Sequence, residues 1–322
     1  MTILRNYTYY RTGGTIDSFH TPESTSELAT NRKELQKNST PFFLLGAGSN
    51  SLVMDTHYHG AVISFHKLTS MEWKQHLLYA EAGVTNTQIA EYCLKNSLTG
   101  LEWMYCLPGQ IGATTRMNAK CYGGEISSST EKVITVTHQG EIKTYQDSKI
   151  FRGYKDTIFM TNQEAVAGVW LKVQPGKSQD IERKMMSYRR DREKKNQFKH
   201  PSCGCVFKND YSIGVPSGML LDRAGVRTMQ QPNNILVNPK HANFLFNLGA
   251  PSEQILKFIF SMRQRVFDKF GVWLELEMEI LGSLSLELRK EVETMHSHQP
   301  DQGALEPLRR AFQTSIRSYE DT

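Results

Sequence analysis

The chain has 322 residues, 39% of them hydrophobic and 22% charged, with a formal net charge of +5; this is enough for two or three compact units, each with its own core. No apolar run approaches the ~20 residues that cross a bilayer, and the first twenty residues lack the apolar stretch of a secretory signal, so a cytoplasmic protein with no membrane partner is expected. The charge is concentrated: between Glu182 and Lys208 nine Lys or Arg stand against three Asp or Glu, yet beyond Tyr188 and Phe198 the only aromatic is Phe207 at its end. That run lacks the stacking platform of a nucleic-acid binder, although two or three of its cations suffice for a diphosphate.

In chain order, residues 1–65 read as strands and turns, with Phe42-Phe43-Leu44-Leu45 and Ala61-Val62-Ile63-Ser64-Phe65 as short buried strands. A strand over 77–82 precedes a helix from Thr87 to Leu98, stopped by Gly100. Residues 105–126, rich in Gly, Pro and Asn, read as irregular. Val133 to Tyr145 suggests a hairpin turning at Gln139-Gly140, and Ala165 to Val173 a strand closed by Pro175-Gly176. A basic helix is predicted over Ser178 to Lys195. The clearest helix runs from Ser252 as N-cap to Phe270, with Ile255, Ile259, Met262 and Val266 at helical spacing and Gly271 just past its end. The period then switches: Val272, Leu274, Leu276, Met278 and Ile280 alternate with Trp273, Glu275, Glu277 and Glu279, a strand with one apolar and one acidic face. Residues 283–322 offer two short helices, Leu284 to His296 and Ala304 to Tyr319, and read as an appendage without assigned chemistry.

Two glycine-softened turns invite a phosphate. Gly46-Ala47-Gly48-Ser49-Asn50 follows a strand and exposes main-chain N–H groups without Cβ bulk. It is neither the dinucleotide fingerprint nor a P-loop, because no third glycine or Gly-Lys-Ser/Thr follows. Pro108-Gly109-Gln110-Ile111-Gly112-Ala113 is a second such patch. The cysteines, at 93, 106, 121, 203 and 205, are odd in number and form no disulfide framework. Cys203 and Cys205 lack a second ligand pair, so no metal site is expected.

These stretches fall in an order that resembles the UDP-N-acetylenolpyruvoylglucosamine reductase (MurB) family, in its branch without an extra substrate-covering loop. The residues that carry the likeness are Thr8 to Gly14, Leu45 to Val53, Gly100-Leu101-Glu102, Pro108 to Ala113, Met117-Asn118-Ala119, Tyr122-Gly123, Gly153-Tyr154-Lys155-Asp156, Pro201 to Asn209, Leu221 to Gly225, His241-Ala242-Asn243-Phe244 and Phe270 to Gly282. The resemblance implies an α+β protein: a vanillyl-alcohol-oxidase-type FAD-binding region (1–65 and 66–177) and a C-terminal α+β substrate-binding domain (178–282), followed by the extension 283–322. It implies non-covalent FAD, NADPH as co-substrate, a UDP-sugar substrate and a monomer. The reaction is reduction of an enolpyruvyl ether to UDP-N-acetylmuramate in peptidoglycan precursor synthesis.

Carried over residue by residue, Cys205 stands where the family's serine proton donor is usual. A thiol with a reference pKa of about 8.5 is a better acid than a hydroxyl. Glu277 matches the catalytic glutamate. Lys155 replaces an arginine that braces the substrate carboxylate, keeping the charge and losing the fork; Arg152 and Arg116 are nearby substitutes. Gly46, Ala47, Gly48, Ser49, Asn50, Pro108, Gly109, Gly112, Ala113 and Asn118 fall at the flavin site. Tyr122, Tyr154, Lys208 and Asn209 fall at the substrate. Asn243 reads equally as a site residue and as a turn residue. Lys155, Lys120 where a glycine is usual, and the added tail leave one alternative, a degenerate member that binds flavin or nucleotide without turnover; an FAD-dependent oxidase of the wider flavin family is a second.

Overall fold

The computed structural model of the chain describes residues 2–320. Met1 and residues 321–322, at the ends of the first and last expected segments, lie outside the described residues. The chain forms two compact units, one of Met1–Ile3, Thr15–Ser49 and Tyr58–Lys194, the other of Leu4–Gly14, Asn50–His57 and Lys195–Thr322. This division differs from the fourfold one read from sequence, and burial explains why. Tyr10, Leu52 and Met54 are buried in the apolar cluster of the second unit, which draws two early stretches into it. Ile181 and Met185 are buried with Cys93, Leu98 and Trp103, which binds the Ser178–Lys194 helix to the first.

The first unit holds two sheets of three or more strands. Ile16–His20, Tyr58–Ser64 and Phe42–Leu45 lie parallel in that order. Five antiparallel strands run in the order Ile142–Tyr145, Thr130–Val136, Ala165–Lys172, Leu77–Glu81 and Met71–Lys74. The expected hairpin and strands are present. So is a helix that the sequence reading passed over, Thr25–Lys37, whose N-cap Ser24 accepts from Glu27 N–H. Its buried face is Leu28, Arg32 and Leu35, and a charged residue in the middle of that face hides the apolar period. Arg32 is tolerated there because Nε donates to Thr137 O (3.2 Å) and Nη2 to Gln163 O (2.9 Å). The next helix spans Asn86–Lys95, shorter than expected, opened by a Thr85–Gln88 capping box; Leu98–Thr99 then pairs with Gln174–Pro175. The stretch expected to be irregular contains a short helix, Ile111–Arg116.

The second unit centres on the antiparallel sheet Ser202–Cys205, Phe244–Asn247, Ile235–Val237. Against it lies the Ser252–Phe270 helix, with Gly271 at φ 65° closing its end. Burial of Ile255, Ile259, Met262 and Val266 stabilises it by about 1.5–3 kcal/mol per side chain. Ser252 is not its N-cap, as the sequence suggested: Pro251 is. The Asp55 carboxylate serves the first turn instead, accepting from Ser252 N–H at 2.7 Å, while Ser252 Oγ accepts from Asp55 N–H at 2.8 Å. The long alternating strand is also corrected. Regular pairing is confined to Glu279–Leu281 against Ser51–Val53, in parallel, and Trp273, expected on the acidic face, is buried. No described helix is long and apolar enough to cross a membrane.

Candidate active site

The first unit presents the two glycine turns. Phe42–Leu45 ends at Gly46, and Gly48 turns with φ 61°. Among the described residues the main-chain N–H groups of Ala47, Gly48 and Ser49 have no main-chain acceptor. Gly46 faces the second turn: a Cβ there would sit 3.3 Å from both Ala113 Cβ and Gln110 Oε1. Gly109 has φ 128°, and a Cβ on it would meet Ser49 Oγ at 3.0 Å. Ser49 Oγ in turn donates to Pro108 O (3.2 Å), and Asn86 N–H donates to Gly109 O (3.1 Å). Gly112 donates to Ala82 O, and its missing side chain lets the backbones close: a Cβ would lie 2.7 Å from Ala82 Cβ. Gln110 Oε1 is buried without a hydrogen-bond partner. A run of main-chain donors, a cradle that a Cβ would fill and a buried acceptor awaiting a donor fit a flavin nucleotide.

Asn118, expected at the flavin, spends its amide within the protein. Nδ2 donates to Glu125 Oε1 and to Gly153 O, both at 2.8 Å. It thereby anchors the hairpin Phe151–Gly153/Asp156–Thr157, whose turn carries Tyr154 and Lys155. Lys155 has φ 55°, is buried, and places Nζ 5.9 Å from the Tyr154 ring centre. Arg152 does not reach in for it, since its guanidinium is tied to Asp156 Oδ1 (2.6 Å) and Thr157 O (2.9 Å). Tyr122 stacks on Tyr188 (4.5 Å, 14°) and donates to Asp191 Oδ2 at 2.8 Å, with Arg192 5.0 Å over its ring. Burial pushes the neighbouring Cys121 thiol up, and the Arg192 and Lys155 cations oppose that shift. Lys120, the anomaly near the flavin, turns to Glu125 (3.7 Å).

The second unit brings Cys205 and Glu277 together. Ser202 pairs with Phe246 and Cys205 with Phe244, so three steps on one strand oppose two on the other. Gly204, at φ 77°, absorbs the extra residue as a bulge. Beyond it Val206 O accepts from Glu277 N–H (2.8 Å) and Lys208 N–H donates to Glu275 O (2.9 Å). The turn is bracketed by a side chain: Asn243 Oδ1 accepts from Phe207 N–H (2.9 Å) and its Nδ2 donates to Phe207 O (2.8 Å). Sequence reasoning left Asn243 open because its bonding partners lie 36 residues away, and no local spacing announces them.

Asn50 also has a part that the sequence did not give it. Its Nδ2 donates to Glu277 O (3.0 Å) and its O accepts from Glu279 N–H (2.9 Å), so it steadies the glutamate's strand. Cys203 is fully buried. Its thiol is pushed far up, chiefly by burial and further by the neighbouring Cys205 and Glu277. Lys208 Nζ lies 3.4 Å from Glu275 Oε2. Asn209 Oδ1 accepts from Ser217 N–H (3.0 Å) and so leaves its NH₂, a donor, for an anion.

Residues 16–145 match the FAD binding domain model, and residues 196–281 match the model of the UDP-N-acetylenolpyruvoylglucosamine reductase C-terminal domain. The chain is similar to the UDP-N-acetylenolpyruvoylglucosamine reductase of Streptococcus mutans, 34% identical over 289 residues (88% of this chain, 92% of the relative), and to that of Clostridium novyi, 32% identical over 284 residues (88% and 92%). It is similar in structure to the reductase of Thermus caldophilus, with a TM-score of 0.72, 28% identity and coverage of 87% of this chain and 97% of that one. With an FAD-binding α+β region, a reductase C-terminal region and relatives matched over nearly their whole length, the chain belongs to the UDP-N-acetylenolpyruvoylglucosamine reductase family.

Proposed function

We infer that the protein is an FAD-dependent oxidoreductase that uses NADPH to reduce the enolpyruvyl ether of UDP-GlcNAc-enolpyruvate to UDP-N-acetylmuramate, a step of peptidoglycan precursor synthesis, as a cytoplasmic monomer. The observation that supports this reading is the bracketed turn, where Glu277 N–H donates to the main-chain oxygen of Val206, the residue next to Cys205. Reduction of the ether builds negative charge on the carbon next to the carboxylate and ends with protonation there. Such chemistry needs an acid held at that carbon and a cation or donor at the carboxylate. Bound non-covalently in the cradle of Gly46, Gly48, Gly109 and Gly112, FAD supplies the hydride chemistry.

The remaining roles fall to this chain's own side chains. Cys205 Sγ–H gives the proton, and Glu277 completes the polar wall beside it. Lys155 meets the substrate carboxylate as a point charge. Lys208 Nζ and the free amide hydrogens of Asn209 meet the diphosphate, and Tyr122 and Tyr154 offer ring surface to the sugar nucleotide. Lys120 gives no support to a degenerate member, since it is drawn to Glu125.

The test is made with purified, yellow protein under anaerobic conditions. NADPH bleaches the flavin absorbance, and UDP-GlcNAc-enolpyruvate restores it stoichiometrically. Flavin that stays bleached with the sugar nucleotide overturns the reading. Fast recolouring by O₂ alone, with indifference to the sugar nucleotide, assigns an oxidase instead.

A further inference from the structure

The extension that follows residue 281, where the match to the reductase C-terminal domain ends, is built into the second unit. Leu288 and Leu305 are buried in that unit's core. Gln299 N–H donates to Gly271 O (2.9 Å) and Asp301 N–H to Phe270 O (3.0 Å), so the linker crosses the end of the long helix. The His296 ring lies 4.3 Å from that of Trp273. The sequence reading of this tail as an appendage is thereby corrected: Leu288 and Leu305 are core residues.

From that crossing the tail reaches the loop between Lys208 and Ser217. His298 Nδ1 accepts from Trp273 N–H (3.3 Å), and its Nε2 lies 3.7 Å from Asp210 Oδ2. Arg309, in the Gln302–Glu320 helix, donates from Nε to Ile213 O (2.8 Å) and from Nη1 to Gln302 Oε1 (2.7 Å). Gly214 turns next to it at φ 72°, and the Arg309 side chain fills the space a Cβ would face, 3.5 Å away. The loop's own bonds are local: Ile213 N–H to Asp210 O, Gly214 N–H to Tyr211 O, and Ser212 to Asp210 Oδ1. Those bonds set the loop's shape; its placement is shared by the buried Ile213 and Val215, by Lys208 N–H on Glu275 O and by the tail's contacts from His298 and Arg309.

We propose that the extension is a strap that fixes the loop 208–217, with Arg309 as the positioning residue that sets where Lys208 and Asn209 meet a sugar-nucleotide diphosphate. The inference rests on the reading of those two residues given above. A loop already held in its bound position loses little conformational freedom on binding, so a strap lowers the cost of capturing the diphosphate and leaves the chemical step alone.

The test compares full-length holoenzyme with Arg309→Ala, Arg309→Lys and, as control, Arg310→Ala, whose side chain bonds to Glu306 Oε1 on its own helix. Arg309→Ala raises KM for UDP-GlcNAc-enolpyruvate about tenfold with kcat within about twofold. It also speeds hydrogen exchange at amides 210–215 and leaves exchange in the Ser252–Phe270 helix unchanged. Arg309→Lys, which still donates to Ile213 O, restores both readouts, and Arg310→Ala matches the parent. Unchanged exchange at 210–215 in Arg309→Ala overturns the strap. Faster exchange with an unchanged KM overturns its part in substrate capture. If the parent protein shows no turnover while the exchange effect stands, the reductase reading fails and the strap survives.

Discussion

The glycine cradle of the first unit and the bracketed turn of the second get their shape by opposite means. The cradle works by what is missing: Gly46, Gly109 and Gly112 sit where a Cβ would strike Ala113, Ser49 and Ala82. The bracketed turn works by what is present, since both ladder bonds of Phe207 are supplied by the one side chain of Asn243. The first is damaged by adding atoms and the second by removing them.

Asn243→Ala tests the second half and carries the largest stability effect. It strands a buried N–H and C=O of Phe207 at roughly 1–3 kcal/mol each, so a loss of about 3 kcal/mol is expected in urea unfolding, together with a fall in turnover. Asn243→Asp keeps the acceptor and sets a carboxylate against Phe207 O, so it loses nearly as much. Full stability in either variant shows that the bracket is dispensable.

Gly112→Ala tests the first half. The added methyl meets Ala82 at 2.7 Å, an overpacking that costs about 1–3 kcal/mol and loosens FAD, read as flavin lost on gel filtration. An alanine variant that retains its yellow colour and its melting point contradicts the cradle.

Alkaline pH sharpens the comparison through the buried thiols of the two units. Burial first, and Glu102 second, raises the Cys93 thiol to about 12. The Cys203 thiol and the Tyr10 hydroxyl are also pushed up, again mainly by burial. Each keeps its proton to higher pH when folded, so the folded chain binds more protons in the intervening range and stability falls there as pH rises. The contribution is intact below the unfolded thiol value of about 8.5 and is lost as pH climbs toward the folded one, by up to ~1.4 kcal/mol per pH unit for a fully unmatched group. Tm therefore drops between pH 8.5 and pH 10, and Cys93→Ala flattens the drop. An unchanged slope in that variant shows that Cys93 does not titrate on unfolding. The smallest effect is expected from Lys155→Arg, where charge is kept and a non-glycine residue already holds φ 55°; turnover stays within about threefold or rises. Collapse of turnover shows that Lys155 does not face the carboxylate.

What could be read in the sequence was local or periodic. The Ser252–Phe270 helix was legible, apart from its N-cap, because its apolar spacing and its terminal glycine agree. The Thr25–Lys37 helix was not, because Arg32 occupies its buried face and finds carbonyls more than a hundred residues away. Cys205 and Glu277 were singled out only as matches to a family pattern, and a main-chain bond from Glu277 to Val206 joins their segments. The residues that hold their segments, Asn243 and Asn50, act across long sequence separations that no window reveals, as does the Asp55 carboxylate at the start of the Ser252–Phe270 helix. Two early stretches, Leu4–Gly14 and Asn50–His57, pack with the second unit, which no linker composition signalled.

The central claim is that Cys205 delivers the proton. In Cys205→Ala, anaerobic bleaching by NADPH keeps nearly the parent rate, and recolouring by UDP-GlcNAc-enolpyruvate slows by at least ~100-fold, the scale of losing a general acid; Cys205→Ser recovers much of it. Equal slowing of both half-reactions, or recolouring at the parent rate in the alanine variant, contradicts the account.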